Sequence, residues 1–144
     1  MAEPRTTALE CALRALRHRD RSTHELEQRL RARGFSEPER DQAIEVLVRT
    51  GLLDDRRFAE ARAISLAGRG AGDALIRHTL EAAGIPSELI DTAFEAVPPE
   101  RERARLIVER RGQGTKTARY LSGKGFSEDV VAGVVATGHR DELR

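Results

Sequence analysis

The chain has 144 residues, of which 34% are charged and only 3% aromatic, and its formal net charge is +1 at pH 7. An aromatic-rich core is therefore excluded, and the abundant alanine, leucine, arginine and glutamate favour helices. Near-neutral charge also argues against strong general attraction to nucleic acid. The single cysteine, Cys11, cannot form an internal disulfide, and no apolar run approaches the ~20 residues of a membrane span. We expect a cytoplasmic protein without a membrane segment.

The first third of the chain has the apolar spacing of three short helices. We expect them near residues 7–19, 23–33 and 37–50. The second and third helices meet at the sequence "GFSE", which begins at Gly34. Glycine permits the left-handed conformation that ends a helix, and Phe35 can then pack back on the last turn. Ser36 is expected to cap the next helix and to form a capping box with Glu39.

The middle third repeats this organisation with helices near 55–67, 72–83 and 87–97. Gly51 ends the preceding helix, and either Asp54 or Asp55 caps the next one. The apolar periodicity is weakest in the first of these helices, because Phe58, Ile64 and Leu66 do not share one face.

The last third begins at "VPPE", residues 97–100, where two prolines interrupt any helix. Helices are expected near 99–111, 115–124 and 127–137, followed by a short polar tail. The word "GFSE" returns at Gly125, and Ser127 is expected to cap the last helix.

An ungapped alignment on three glycines shows that these thirds are internal repeats. Leucine stands four residues before each glycine, Phe or Ile follows it, and an apolar pair stands nine and ten residues after it. The aligned glycines and leucines are Gly34, Gly84 and Gly125 with Leu30, Leu80 and Leu121. We predict an all-α fold of three tandem three-helix repeats, at 1–52, 53–97 and 98–144, that form an elongated, curved molecule.

Neither the titratable residues nor the glycine-rich segments form a recognisable active site. No CxxC spacing is present. The four histidines are scattered along the chain: His18, His24, His78 and His139. Two adjacent aspartates at a helix start are typical of caps, and "GRGAG" and "RGQGTK" do not match the phosphate-binding loop. We therefore expect no catalytic residue, no cofactor and no metal, and a function in binding a large partner.

Three basic segments could bind such a partner. Two of them, "LRALRHRDR" and "RLRARG", are typical of solvated helix faces, and aromatic residues for base stacking are nearly absent. The third, residues 101–124, is denser and has eight cations around a glycine loop. We predict that its cations contact the partner: Arg101, Arg103, Arg105, Arg110, Arg111, Lys116, Arg119 and Lys124.

The set of motifs resembles the RecX family of recombinase regulators along essentially the whole chain. The resemblance is carried by "GLLDDRRFA" from Gly51, the "RARGFSEPERDQAIEVLVRTG" run before it, the "GI" joint at Gly84, and "TARYLSGKGFSEDVV" near the end. It implies a non-enzymatic regulator, expected to be a monomer, that binds RecA and the groove of its filament on single-stranded DNA. It further implies that the protein inhibits RecA's ATPase, strand-exchange and co-protease activities.

Two positions depart from the pattern of that family. Asp73 stands where a cation is usual, with only Arg77 remaining nearby, and "VVAGVVATG" lacks the usual arginine. These departures put electrostatic contacts at both places in doubt. The alternative function is a helix-turn-helix-like DNA-binding protein, since each repeat has a tight turn between its second and third helices. Weak binding to single- or double-stranded DNA is compatible with either function.

Overall fold

A computed structural model describes the backbone of residues 6–142 and the side chains of residues 6–135. Over this range the chain forms nine α-helices and no strand, so the predicted all-α architecture of tandem three-helix repeats is confirmed. The helices are α1 Ala8–His18, α2 Thr23–Ala32, α3 Glu37–Arg49, α4 Asp55–Gly68, α5 Asp73–Ala82, α6 Ser87–Phe94, α7 Glu100–Arg111, α8 Thr115–Gly123 and α9 Glu128–Glu142.

The repeated glycines form the predicted left-handed corners between the second and third helix of each repeat. Their φ angles are 89° at Gly34, 76° at Gly84 and 91° at Gly125. In the first corner the amide of Phe35 donates to the carbonyl of Leu30 at 3.2 Å. The other two corners repeat this bond at the equivalent residues, so each closes the last helical turn in the manner of a Schellman motif.

Serine side chains cap several helices in the expected way. Ser36 accepts from the amide of Glu39 and forms the predicted capping box. Ser127 accepts from the amide of Val130 at 3.2 Å, which confirms the predicted cap of the last helix. A further capping box, at Ser22 at the start of α2, was not anticipated.

The two largest differences from the predicted helix ends lie at α6 and α9. The α6 helix ends at Phe94 rather than at residue 97. The amides of Glu95, Ala96 and Val97 donate three residues back instead, because Pro98 follows and disfavours α-helical backbone before it. The α9 helix runs on to Glu142, past the predicted end at 137, since no proline stops it. The side chains of the predicted polar tail, including that of His139, lie outside the described residues.

Each repeat has its own hydrophobic core. The three core clusters share no residue, and each is built around the leucine that precedes a corner glycine: Leu30, Leu80 and Leu121, all fully buried. Leu53 packs into the first cluster, one residue beyond the predicted end of the first repeat. The division at 52/53 and 97/98 itself stays a prediction.

The first and second repeats are joined by hydrogen bonds. At the start of α2, the Ser22 hydroxyl donates to the carbonyl of Ala83 at 2.6 Å. The amide of Thr23 donates to the Asp55 carboxylate at 2.7 Å. The first residue of α4 thus caps a helix of the preceding repeat.

The second and third repeats are joined in the same way. At the start of α5, the amide of Gly72 donates to the carbonyl of Lys124 at 2.8 Å. The amide of Asp73 donates to the Glu100 carboxylate at 2.6 Å. Glu100, like Asp55, is the first residue of the first helix in its repeat, so the two joints are built in the same way.

Close backbone approach at these joints requires glycine. A Cβ on Gly72 would lie 2.3 Å from the carbonyl carbon of Gly125 and from the nitrogen of Phe126. A Cβ on Gly84 would lie 2.3 Å from the Cβ of His24. Two of the corner glycines, Gly84 and Gly125, therefore end helices and also admit the neighbouring repeat.

The described structure has three small, separate cores, and such cores leave more of each repeat exposed than a single shared core would.

Candidate functional site

The eight cations predicted to bind a partner lie along α7, α8 and the turn after it. Six of them are exposed: Arg101, Arg105, Arg110, Arg111, Lys116 and Arg119. Lys124 is half-buried beside the joint, and Arg103 is buried. A partner can therefore reach six of these side chains directly, and their role in binding stays a prediction.

The α7 helix holds five of these eight cations. Pro99 occupies its N-cap, where the missing amide costs nothing. Glutamates alternate with arginines in its first turn, and the charges of Arg110 and Arg111 in its last turn suit the helix dipole. The last-turn arginines are thereby placed beside the glycine turn that leads to α8.

Arg103 holds the second and third repeats together. Its guanidinium donates to one carboxylate oxygen of Asp73 at 2.6 and 2.8 Å and to the carbonyl of Ala71 at 3.4 Å. It also lies 5.7 Å from the centre of the Phe126 ring. Its charge is thus neutralised within the joint, and the sequence pattern gave no sign of that.

Asp73, which the resemblance to RecX marks as a departure, is the counter-ion in this joint. Burial raises its pKa above the usual value, while the Arg103 guanidinium acts in the opposite direction. The neighbouring Arg77 is also paired, at 2.7 Å from Asp91, and lies 5.4 Å from the Phe94 ring. Both charges at this departure from the family pattern therefore have partners within the chain.

An open groove of about 560 Å³ runs between the second and third repeats. Ile64 and Ala67 of α4 line one side, and Leu106 and Ile107 of α7 line the other, with Tyr120 of α8 beside them. Ile64 is 49% exposed and Leu106 is 54% exposed, so large apolar side chains face solvent here.

Arginines surround the apolar floor of this groove. Arg69, Arg110 and Arg111 line it together with the paired Arg103, and no acidic residue lines it among those described. The first three have no carboxylate within 4.0 Å in the described part of the chain. The guanidinium of Arg111 lies 3.8 Å from the centre of the Tyr120 ring.

Sequence reasoning missed Ile64, Leu106 and Arg69 as parts of a surface. The available signal was the irregular periodicity of α4, where Phe58 is buried in the core while Ile64 points away from it. A helix that contacts both a core and a groove cannot show one clean apolar face.

The other basic segments are partly used within the first repeat. Arg21 is buried and donates to the carbonyl of Ala15 at 3.2 Å, while Arg31 lies near Glu27. Three others line a smaller cleft of about 110 Å³ near the buried Cys11: Arg14, Arg29 and Arg33.

The described residues contain no group of three or more metal-binding side chains. No helix in that part of the chain is long and apolar enough to cross a membrane.

Comparison with known proteins identifies the family. Two family models, for the first and the second three-helix domain of RecX, match residues 8–47 and 54–93. The "Regulatory protein RecX" of Trichlorobacter lovleyi is 33% identical over 135 residues, spanning 83% of this chain and 88% of that protein. The chain belongs to the RecX family.

Other RecX proteins match over similar lengths. The regulatory protein RecX of Halorhodospira halophila is 32% identical over 94% of this chain and 90% of its own. The crystal structure of RecX from Lactobacillus salivarius superposes with a TM-score of 0.76 at 21% identity, covering 90% of this chain and 93% of that one. The resemblance inferred from the sequence is confirmed, and so is the fold.

Proposed function

We propose that this RecX-family protein binds RecA and its filament on single-stranded DNA and inhibits RecA's ATPase, strand-exchange and co-protease activities. It acts by binding, without catalysis, as a monomer in the cytoplasm, where the filament forms. The proposal is supported by membership of a family whose members are named regulatory proteins.

The observation that carries the proposal is the pair of hydrogen-bonded joints. They connect three separately packed repeats through backbone and carboxylate contacts, at Ser22 and Thr23 in one joint and at Gly72 and Asp73 in the other. A chain built this way presents successive repeats in fixed order to a partner that is itself repetitive. Linked weak contacts to neighbouring protomers then add to one strong interaction.

Exposed cations of α7 and α8 supply the electrostatic part of this interaction. Because exposed acids are interspersed along the rest of the molecule, the surface suits a protein partner, or a protein filament on DNA, better than naked duplex DNA. Arg103 contributes indirectly, by holding the third repeat in position.

The test is a titration of RecA's single-stranded-DNA-dependent ATPase with this protein. We expect inhibition well below one molecule per RecA protomer, because a bound regulator affects filament growth beyond its own site. An unchanged ATPase at equimolar protein would contradict the proposal. Salt-sensitive duplex binding in a parallel assay would then favour the helix-turn-helix alternative.

A charge-removal variant tests the predicted cations. Replacing Arg110, Arg111, Lys116 and Arg119 together by alanine should raise the protein concentration for half-inhibition by about tenfold or more, with unchanged helicity by circular dichroism.

The matched control removes four exposed arginines from the first repeat instead: Arg14, Arg17, Arg29 and Arg33. It loses the same charge, so a similar weakening in both variants would show that net charge matters and that the third repeat is not the contact.

A further inference from the structure

The groove between the second and third repeats has an apolar floor that no described part of the chain covers. Large exposed hydrophobic side chains are few among the described residues: Val48, Leu52, Ile64 and Leu106. The last two face the same groove, on opposite sides of it. Exposed apolar surface concentrated in a concave site is typical of a binding groove.

The charges around this floor all have one sign. Arg69, Arg110 and Arg111 have no carboxylate within 4.0 Å among the described residues. Each keeps a guanidinium that can bind a carboxylate through paired hydrogen bonds. An occupant that complements this groove is therefore apolar along one side and acidic beside it.

We propose that the groove receives an acidic amphipathic helix from a protein partner. Its apolar side chains pack on Ile64, Leu106 and Ile107, and its carboxylates face Arg69 and Arg110. Recognition of this kind places an amphipathic helix in an apolar groove through side chains spaced three and four residues apart. A volume of about 560 Å³ accommodates several such side chains.

The groove is less suited to single-stranded nucleic acid. Bases bind by stacking on open aromatic faces, and Tyr120 is the one aromatic side chain that lines the groove in the described structure. Arg111 already covers one face of that ring at 3.8 Å. The remaining lining is aliphatic, which favours a peptide.

The position of the groove gives its occupant a second effect. One wall belongs to α4 of the second repeat and the other to α7 of the third, and Arg103 of the joint also lines it. A helix bound there contacts both repeats at once and stabilises their arrangement. The partner that supplies this helix need not be RecA.

The probe is a fluorescein-labelled helical peptide of about 18 residues, with leucines spaced three and four apart and glutamates elsewhere. We expect saturable binding by fluorescence anisotropy that weakens as salt is added. A matched peptide with lysine in place of glutamate, and a labelled oligo(dT), should bind at least about tenfold more weakly.

Two pairs of variants locate the binding. Leu106→Asp should weaken peptide binding by about tenfold or more, whereas Val48→Asp, a change at a residue of nearly equal exposure in the first repeat, should leave it unchanged. Arg110→Glu should weaken binding of the acidic peptide and strengthen binding of the lysine peptide. Arg29→Glu, in the separate cleft of the first repeat, should do neither.

Several results would overturn the proposal. They are absence of saturable binding by folded protein, equal binding of the two peptides, and equal loss in the Leu106 and Val48 variants. Tighter binding of oligo(dT), lost in Leu106→Asp, would assign the groove to nucleic acid. Sedimentation could instead show dimers of the native protein that Leu106→Asp dissociates. That result would assign the groove to a second copy of the chain.

Discussion

At the scale of single residues, glycines at equivalent positions of the repeats have different structural roles. Gly34 and Gly84 both adopt positive φ at a helix corner, but only Gly84 meets a neighbouring repeat. Among the described residues, no atom lies within 4 Å of a Cβ built on Gly34, whereas a Cβ on Gly84 overlaps His24. Substitutions at these two glycines therefore separate the free-energy cost of backbone strain from the cost of a clash between repeats.

We expect Gly34→Ala to lower the free energy of unfolding by about 1 kcal/mol, because alanine is strained in the left-handed region. Gly84→Ala should lower it by about 3 kcal/mol, since the clash adds to the same strain. Urea denaturation of both variants measures the difference. Equal losses would mean that His24 moves aside at little cost.

Asp73 gives a prediction on pH. Burial is the largest influence on its pKa and raises it above the usual 3.8, against the opposing effect of Arg103. The folded protein then holds this proton more tightly than the unfolded chain does. Protonation of Asp73 therefore contributes to the free energy of unfolding. This contribution is fully present below pH 3.8 and is lost as pH rises through the pKa of the folded state.

Asp73→Asn cannot titrate, so its stability should lack this contribution. We expect the advantage of the native protein over the variant to be largest at the acidic end and to shrink as pH increases, in urea denaturation between about pH 3 and pH 7. An advantage that grows with pH would show that attraction to Arg103 outweighs burial.

At the scale of helices, the two adjacent aspartates at the start of α4 have separate roles. The sequence left open whether Asp54 or Asp55 caps this helix. Asp54 does so, accepting from the amide of Arg57 at 3.2 Å, while Asp55 accepts from Thr23 in the preceding repeat. The Asp54 carboxylate thus caps its own helix, and the Asp55 carboxylate joins the first and second repeats.

Alanine at each position should have a different local effect. Asp55→Ala should cost about 1 kcal/mol and speed hydrogen exchange at the amide of Thr23, leaving that of Arg57 unchanged. Asp54→Ala should do the reverse. Faster exchange at Thr23 in both variants would contradict the separation of roles.

Local patterns predicted the helices well because their causes are local. A corner such as Gly34 to Ser36 contains its own left-handed residue, its own cap and its own apolar contact. The short motif is therefore sufficient to predict the corner. The joints could not be predicted in this way. The carboxylate that caps α2 comes from Asp55, and the partner of the buried Arg103 is Asp73. Those contacts depend on how repeats stack.

The candidate surfaces show the same limit. Charge counting found the cations of α7 and α8 but could not distinguish the exposed Arg110 from the buried Arg103. It also could not find the groove, because Ile64 and Leu106 come from different repeats and become neighbours only after stacking.

At the scale of the whole molecule, three independent cores depend on two joints for a fixed arrangement. The cores share no buried residue, and the joints consist mainly of hydrogen bonds to backbone groups. In such linear proteins, stability is approximately the sum of the repeat stabilities and the interface energies. A change confined to one joint should therefore alter shape and cooperativity before it alters a core.

Gly72 is the position where this can be tested. Its φ of −80° suits alanine, but the added Cβ would lie 2.3 Å from backbone atoms of Gly125 and Phe126, which cannot rotate away. We expect Gly72→Ala to weaken the second joint by about 1–3 kcal/mol. Hydrogen exchange should quicken in the third repeat and at the Gly72 amide, while the first repeat keeps its protection.

Gly68→Ala is the control, because Gly68 is helical and a Cβ there meets no described atom within 4 Å. It should preserve both the exchange pattern and the radius of gyration in X-ray scattering, whereas Gly72→Ala should change both. The proposed function adds a consequence, since a third repeat out of position cannot contact the same filament as the first two. Gly72→Ala should therefore inhibit the RecA ATPase less than Gly68→Ala does. Full inhibition by a Gly72 variant with a displaced third repeat would mean that the second joint is not needed for regulation.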